Sequence, residues 1–232
     1  MDIDISEFLP KYPNIVKVDD NDLFNPYGDE DFYESIYKKK EFYDERVPKT
    51  EPFPELPGLL MKHQKILARF LSARTPYDKI LLMLQMGVGK TCAAIGAVEE
   101  IKNQPDSGFT GALVFARGEG LLNNFINELV FKCTAGQYIP EDFENLTDLE
   151  KVHRINKSTK GWYTMHTFET FAKDVINKLS DEALIEKFSN KIIIIDEVHN
   201  LRLQEKVQGL EMYKQFHRFL HVVENCKIIL MS

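Results

Sequence analysis

Lys79–Thr91 reads KILLMLQMGVGKT. Lys79–Leu84 is an apolar run of strand length without polar alternation, the pattern of a strand buried on both faces of a parallel sheet. Gly87 and Gly89 then let the backbone turn tightly and bring N–H groups close to an anion. Lys90 and Thr91 open a helical stretch that continues to Lys102. Strand, glycine loop and Lys-Thr in this order form a loop that cradles nucleoside triphosphate phosphates. Met86, Gly87, Val88 and Gly89 would line the phosphates, Lys90 would reach the β- and γ-phosphates, and the Thr91 hydroxyl would meet Mg²⁺. The full pattern asks for glycine at position 84, where this chain has leucine, so the match is GVGKT at 87–91.

Outward from this loop the chain alternates strand and helix. Upstream, Leu59–Ala73 has apolar residues at 59, 60, 66, 67, 70 and 71, an amphipathic helix. Downstream, strands are predicted at Gly111–Phe115, Trp162–Met165, Lys191–Ile195 and Lys227–Met231. Helices are predicted at Leu121–Phe131, Thr167–Leu179, Asp181–Phe188 and Gln208–Glu224. Residues 132–160 read as polar and irregular, with Thr147-Asp-Leu-Glu150 as a capping box opening a short helix. Alternation of this kind implies βαβ units and an α/β fold with a mostly parallel sheet flanked by helices.

The most apolar strand, KIIII at 191–195, runs directly into Asp196-Glu197-Val198-His199. A hydrolase built on a phosphate loop needs an acid at the end of a nearby strand to hold Mg²⁺, and a second carboxylate to polarise water. Asp196 suits the first role and Glu197 the second. His199, two residues on, falls near the γ-phosphate. Gln64, ahead of the loop, carries an amide able to donate to and accept from an adenine edge.

The net charge of −7 is unevenly spread. Residues 1–56 hold fifteen acidic and seven basic side chains, whereas the remainder holds twenty-one and twenty-two. The acidity belongs to an N-terminal arm, so it does not exclude an anionic ligand in the rest. Seven of the ten prolines fall in residues 1–57, which read as an acidic, aromatic, partly irregular arm with one helical stretch near Glu30–Arg46. Residues 58–232 then form the α/β domain. Cys92, Cys133 and Cys226 show no CxxC pairing and no histidines at metal spacing, which points away from a disulfide framework or zinc site and toward a reducing compartment. No apolar run approaches the roughly 18 residues of a membrane span, and the start MDIDISEFLP is not a signal peptide.

Taken in order, LMKHQ at 60–64, GVGKT at 87–91, LVFARGEGLLNNF at 113–125, YTMHTF at 163–168, DEVH at 196–199 and IILMS at 228–232 resemble the motifs of superfamily 2 (DExH-box) helicases and translocases. The likeness covers roughly residues 59–232. It is greatest to the helicase-like ATPases of large cytoplasmic DNA viruses, of the poxvirus early transcription factor small subunit and nucleoside triphosphate phosphohydrolase I type. The HQ pair, LQMGVGKT and the asparagine after DEVH carry it. One departure is Gly118, where that family usually has proline.

The resemblance implies a RecA-like domain ending at motif III, with ATP and Mg²⁺ as cofactors. Lys90, Thr91, Asp196 and Glu197 would be the nucleotide and metal residues, Glu197 the catalytic base and Gln64 the adenine contact. His199 and Ser232 would couple nucleotide state to nucleic-acid grip. It also implies a track of nucleic acid, DNA in preference to RNA, with Arg117 as its contact. A second RecA-like domain, supplying an arginine and absent from these 232 residues, completes the expectation, so this stretch alone should bind ATP weakly and hydrolyse it poorly. RNA polymerase or transcription factor subunits would be partners. The place would be the cytoplasm, in a virus factory or virion, or the nucleus for a relative of cellular remodellers. Lys151, His153, Arg154, Lys157 and Lys160, just before Trp162-Tyr163, form a basic and aromatic cluster suited to phosphate contact and stacking. The residues also leave open a non-catalytic interaction module acting through the acidic arm.

Overall fold

The structure, a computed structural model, describes residues 12–13, 32–45, 60–84, 87–201 and 207–232, without the side chains of 207–210. Met86 lies outside the described residues, as does most of the arm. The chain divides into two compact units, Met1–Glu51 and Pro52–Ser232.

In the first unit, α1 (Phe32–Lys38) and α2 (Lys40–Tyr43) stand where one helix over Glu30–Arg46 is predicted. Tyr12 donates its hydroxyl to Glu41 Oε1 at 2.7 Å, and the Lys39 ammonium sits 3.7 Å over the Tyr12 ring.

The second unit runs α3 (Lys62–Phe70), β1 (Lys79–Leu82), α4 (Lys90–Lys102), β2 (Ala112–Ala116), α5 (Glu119–Glu128), α6 (Asp148–Thr159), β3 (Tyr163–Thr167), α7 (Phe168–Phe171), α8 (Asp181–Phe188), β4 (Ile192–Ile195), α9 (Val207–Val222) and β5 (Lys227–Met231). The strands form one sheet, every pair parallel, in the order β1-β5-β4-β2-β3. This is the expected α/β architecture, RecA-like in arrangement. The last strand inserts between the strand of the phosphate loop and the strand of the acidic motif.

Strand alternation sends successive side chains to opposite faces, and each face has its own core. Ala112, Val114, Ala116, Ile192, Ile194 and Ile229 pack with α3, α4 and α5. Leu113, Phe115, Ile193, Ile195 and Ile228 pack with α7, α8 and α9, around Phe168, Phe171, Phe216 and Phe219. An unbroken run such as IIII suits a strand covered on both sides. The segment leading into α3 lies close against α4 at Gly96, where a Cβ would meet Leu60 Cδ1 at 2.6 Å.

β1 departs from its sequence reading. Among the described residues it pairs only with β5, and Leu81 and Met83 are 52% and 74% exposed. Among the described residues the outer edge of β1 is unpaired, and the expectation of burial on both faces is not met. Lys227, only 4% exposed, anchors the far end of this strand pair. Its ammonium donates to the carbonyls of Thr75 and Tyr77, at 3.1 and 2.7 Å, and to Asp78 Oδ1 at 3.0 Å.

Two predicted helices change type before they end. Leu121–Phe131 becomes α5 followed by a π turn over Leu129–Cys133, and Thr167–Leu179 becomes α7 followed by a π turn over Ala172–Ile176. A π turn inserts an extra residue and rotates the following side chains, a change that apolar spacing alone does not reveal. The stretch expected to be mostly irregular contains the twelve-residue α6, capped as predicted by Thr147, whose N–H donates to Glu150 Oε2 at 2.9 Å. No helix among the described residues is long and apolar enough to cross a membrane.

Candidate functional site

The phosphate loop leaves β1 and closes onto α4. Gly87 and Gly89 have φ of +84° and +80°, a region in which an L side chain is strained. Gly89 caps α4, so the loop's last peptides point their N–H groups toward the mouth of the helix, with Lys90 and Thr91 in its first turn. Val88 lies between the two glycines with its side chain exposed.

Gln64 backs this loop from α3. It is buried, and both ends of its amide have a partner: Oε1 accepts from the Met61 N–H at 2.8 Å, and Nε2 donates to the Gly89 carbonyl at 3.2 Å. In this state the group predicted to read adenine holds the loop instead. His63 Nε2 lies 3.3 Å from the Val88 carbonyl, so both members of the HQ pair touch the loop. The His63 contact was not anticipated, although its position beside Gln64 was the available signal.

The acidic motif leaves β4, two places from β1 in the sheet. Asp196 donates its backbone N–H to the Phe115 carbonyl at 2.8 Å. Burial, then the neighbouring Glu197 carboxylate, hold the Asp196 carboxyl above the usual carboxylate range, with the Lys90 ammonium acting in the opposite direction. A carboxylate whose ionised form is disfavoured in this way fits a divalent cation, and the Thr91 hydroxyl on the facing helix would complete the pair.

Glu197 has φ of +51°, which an L residue adopts only where its surroundings impose it. Asn200 supplies the constraint by donating its backbone N–H and its Nδ2 to the Glu197 carbonyl, at 2.9 and 3.0 Å. His199 Nδ1 stands 3.2 Å from Glu197 Oε2 and 3.3 Å from Ser232 Oγ. Ser232 in turn donates its N–H to the Leu82 carbonyl at the end of β1. The acidic motif, the end of β5 and the end of β1 are thus linked through His199 and Ser232.

Arg117, at the end of β2, donates to Asn200 Oδ1 at 3.2 Å, so it joins the acidic motif while remaining exposed. Gly118 has φ of −160°, far from proline's fixed value near −65°, which accounts for the departure at that position.

Two expectations need correction. Tyr163 cannot stack on a base: it is 2% exposed and its hydroxyl donates to Glu99 Oε1 at 2.7 Å. In the basic cluster beside it, Arg154 is 3.6 Å from Asp142, and Lys151 lies over the Phe143 ring. The cysteines are also paired. Cys92 and Cys133 form a disulfide, because α4 and the π turn after α5 pack on one face of the sheet and bring residues 41 apart to a Cα–Cα distance of 5.2 Å. Cys226 is free.

The family described as Type III restriction enzyme, res subunit matches residues 59–230. The chain belongs to that family. It is a superfamily 2 helicase-like domain of the kind that large DNA viruses carry. It is 34% identical over 240 residues to a protein of Invertebrate iridescent virus 3 named as a helicase (087L), covering 100% of this chain and 23% of the relative. A Frog virus 3 protein named as a helicase (009L) is 35% identical over 236 residues, with the same coverage. A protein of Heliothis virescens ascovirus 3e, named as an ATP-dependent RNA helicase, is 27% identical over 233 residues, covering 97% of this chain and 22% of the relative. The helicase-like domain thus spans about a quarter of the length of these relatives.

Proposed function

We propose that this helicase-like domain binds Mg·ATP and hydrolyses it as the first half of a nucleic-acid-dependent ATPase of viral transcription, driving movement along DNA or its melting. The observation that carries the reading is the meeting of two loops at one end of the sheet. His199 and Ser232 tie Glu197 to the Leu82 carbonyl at the end of β1, the strand that leads into the Gly87–Thr91 loop, across the β1-β5-β4 order.

Each residue has a role in this reading. Backbone N–H groups of residues 86–91 and the Lys90 ammonium bind the triphosphate and oppose charge building on the γ-phosphate. Thr91 and Asp196 hold Mg²⁺, which would neutralise charge shared by the β- and γ-phosphates. Glu197 accepts the proton of the attacking water, its backbone fixed by Asn200. His199 and Ser232 relay the state of this site to the ends of β1 and β5. Arg117 carries the same state from Asn200 to bound nucleic acid. Gln64 connects the base side of the nucleotide to the Gly89 carbonyl. A second RecA-like domain would add an arginine, worth about 10³-fold to 10⁵-fold in rate. The domain alone therefore turns over slowly, and single-turnover hydrolysis is the appropriate measurement.

Lys90→Ala should abolish measurable Mg·ATP binding in a fluorescent-nucleotide titration. Glu197→Gln should keep the binding and lower single-turnover phosphate release about 10²-fold to 10⁴-fold. Unchanged release in the Glu197 variant removes it as the base. Single-stranded DNA, duplex DNA and RNA added separately identify the track, with DNA expected to stimulate most.

A further inference from the structure

We infer that Cys92 and Cys133 form a reversible thiol–disulfide site that controls the stiffness of the nucleotide-binding helix. Cys92 directly follows Thr91, in the first turn of α4, the turn that presents Lys90 and Thr91. Cys133 closes the π turn that follows α5, and α5 begins two residues after Arg117. The disulfide therefore ties the helix of the phosphate loop to the element that leads back to the proposed nucleic-acid contact.

Both redox states have a place in this environment. Cys92 is the more exposed of the two residues and is therefore the sulfur that a dithiol would attack first, whereas Cys133, 7% exposed, is the buried partner. A carboxylate oxygen of Glu128 lies within 4.8 Å of both sulfurs. In the disulfide state it receives nothing from them. In the reduced state it would be the nearest acceptor for a thiol S–H, after a small side-chain movement. The reaction is a two-electron exchange: the dithiol attacks Cys92 Sγ, the bond to Cys133 breaks, both cysteines become thiols and the reductant leaves as its cyclic disulfide. Oxidised glutathione reverses it, giving two glutathione thiols.

The consequence for the site is mechanical. The first turn of a helix lacks a complete set of intrahelical bonds, so its order depends on what holds it from outside. With the disulfide closed, that turn is pinned to the π turn. Opened, it loses that covalent tie and is held by packing, by its own helical bonds from Ala93 N–H to the Gly89 carbonyl onward, and by Gln64 on the Gly89 carbonyl. The effect on Mg·ATP rests on the function proposed above; the change in local order does not.

The test compares the chain oxidised with glutathione disulfide and reduced with dithiothreitol. Mass spectrometry should find a linked Cys92–Cys133 peptide only after oxidation. Amide exchange of Ala93–Val98 and Leu129–Cys133 should be about tenfold slower in the oxidised form, and Mg·ATP should bind it more tightly. Cys92→Ser and Cys133→Ser should each give the faster exchange whatever the redox state, while Cys226→Ser should leave the response intact. Thiols that stay free under oxidant, equal exchange in the two states, or a reduced protein that captures Zn²⁺ one-to-one and cannot then be closed would overturn the inference. If Mg·ATP binds in neither state, the function reading fails, and the exchange data still decide the switch.

Discussion

β4 runs through the middle of the sheet between β5 and β2, with all four isoleucines buried, and delivers Asp196 and Glu197. β1 runs along the edge, with Leu81 about half exposed, and delivers the phosphate loop. Two loops that the proposed function brings to one phosphate are thus mounted differently. The acidic loop is seated in the core and locked by Asn200, His199 and Arg117. The phosphate loop is steadied from behind by His63, Gln64 and the start of α4. Under the proposed function, the difference places adaptability on the side that would receive the nucleotide and keeps the side that would activate water fixed.

The comparison breaks most readily at β4. Ile194→Ala should cost about 2–5 kcal/mol of stability in denaturant unfolding, because its cavity opens in a fully packed layer. Leu81→Ala, on the edge, should cost less than about 1 kcal/mol; equal losses would show that the two mounts do not differ. Next come the loop glycines. Gly89→Ala combines a positive φ with a Cβ placed 2.4 Å from Gln64 Nε2, whereas Gly87→Ala has the positive φ and no neighbour within 4 Å. Each carries about 1–2 kcal/mol of backbone strain, and only Gly89→Ala should also displace Gln64. Nucleotide titration should therefore show the Gly89 variant as clearly the weaker binder.

A smaller effect comes from His166, at the end of β3. Burial, and then Lys187, hold its pKa below the ordinary histidine value, and it sits against Phe115 and Phe171. A histidine depressed in the fold contributes stability above its unfolded pKa and loses it as pH falls through the folded one. Melting temperature should thus drop more steeply below about pH 6.5 in the wild type than in His166→Asn. Least in stability, yet visible in light scattering, is the free edge of β1. Met83→Lys should leave the melting temperature nearly unchanged and reduce aggregation, since charge on an edge strand opposes strand addition.

Much of this arrangement was legible. Ile192–Ile195 reads as a strand buried on both faces because it is one, and DEVH follows it without a gap. The pairing Thr147–Glu150 is local, so its residues state it directly. What escaped the reading is what other parts of the chain decide. Lys79–Leu84 has the composition of a strand buried on both faces, yet Leu81 and Met83 are exposed, because what covers a strand's face is not written in the strand's own residues. Cys92 and Cys133 carry no spacing signature; their meeting depends on how two helices pack on one face. The Gln64 bond to the Gly89 carbonyl spans 25 residues, so its sequence neighbourhood does not announce it. Tyr163 looked free to stack because its partner, Glu99, lies 64 residues away.

Lys227 has a consequence at the opposite end of the sheet. By gripping Thr75, Tyr77 and Asp78 it fixes how β5 lies along β1, with Lys79 beside Ile228 and Leu82 beside Met231. Five residue steps at about 3.3 Å each separate that grip from Ser232. It behaves like the zero mark of a vernier: a slip there, where no chemistry happens, would misalign the Gly87–Thr91 loop against the DEVH loop. A substitution at Lys227 would thus present as a nucleotide-binding defect in a protein whose binding residues are all intact.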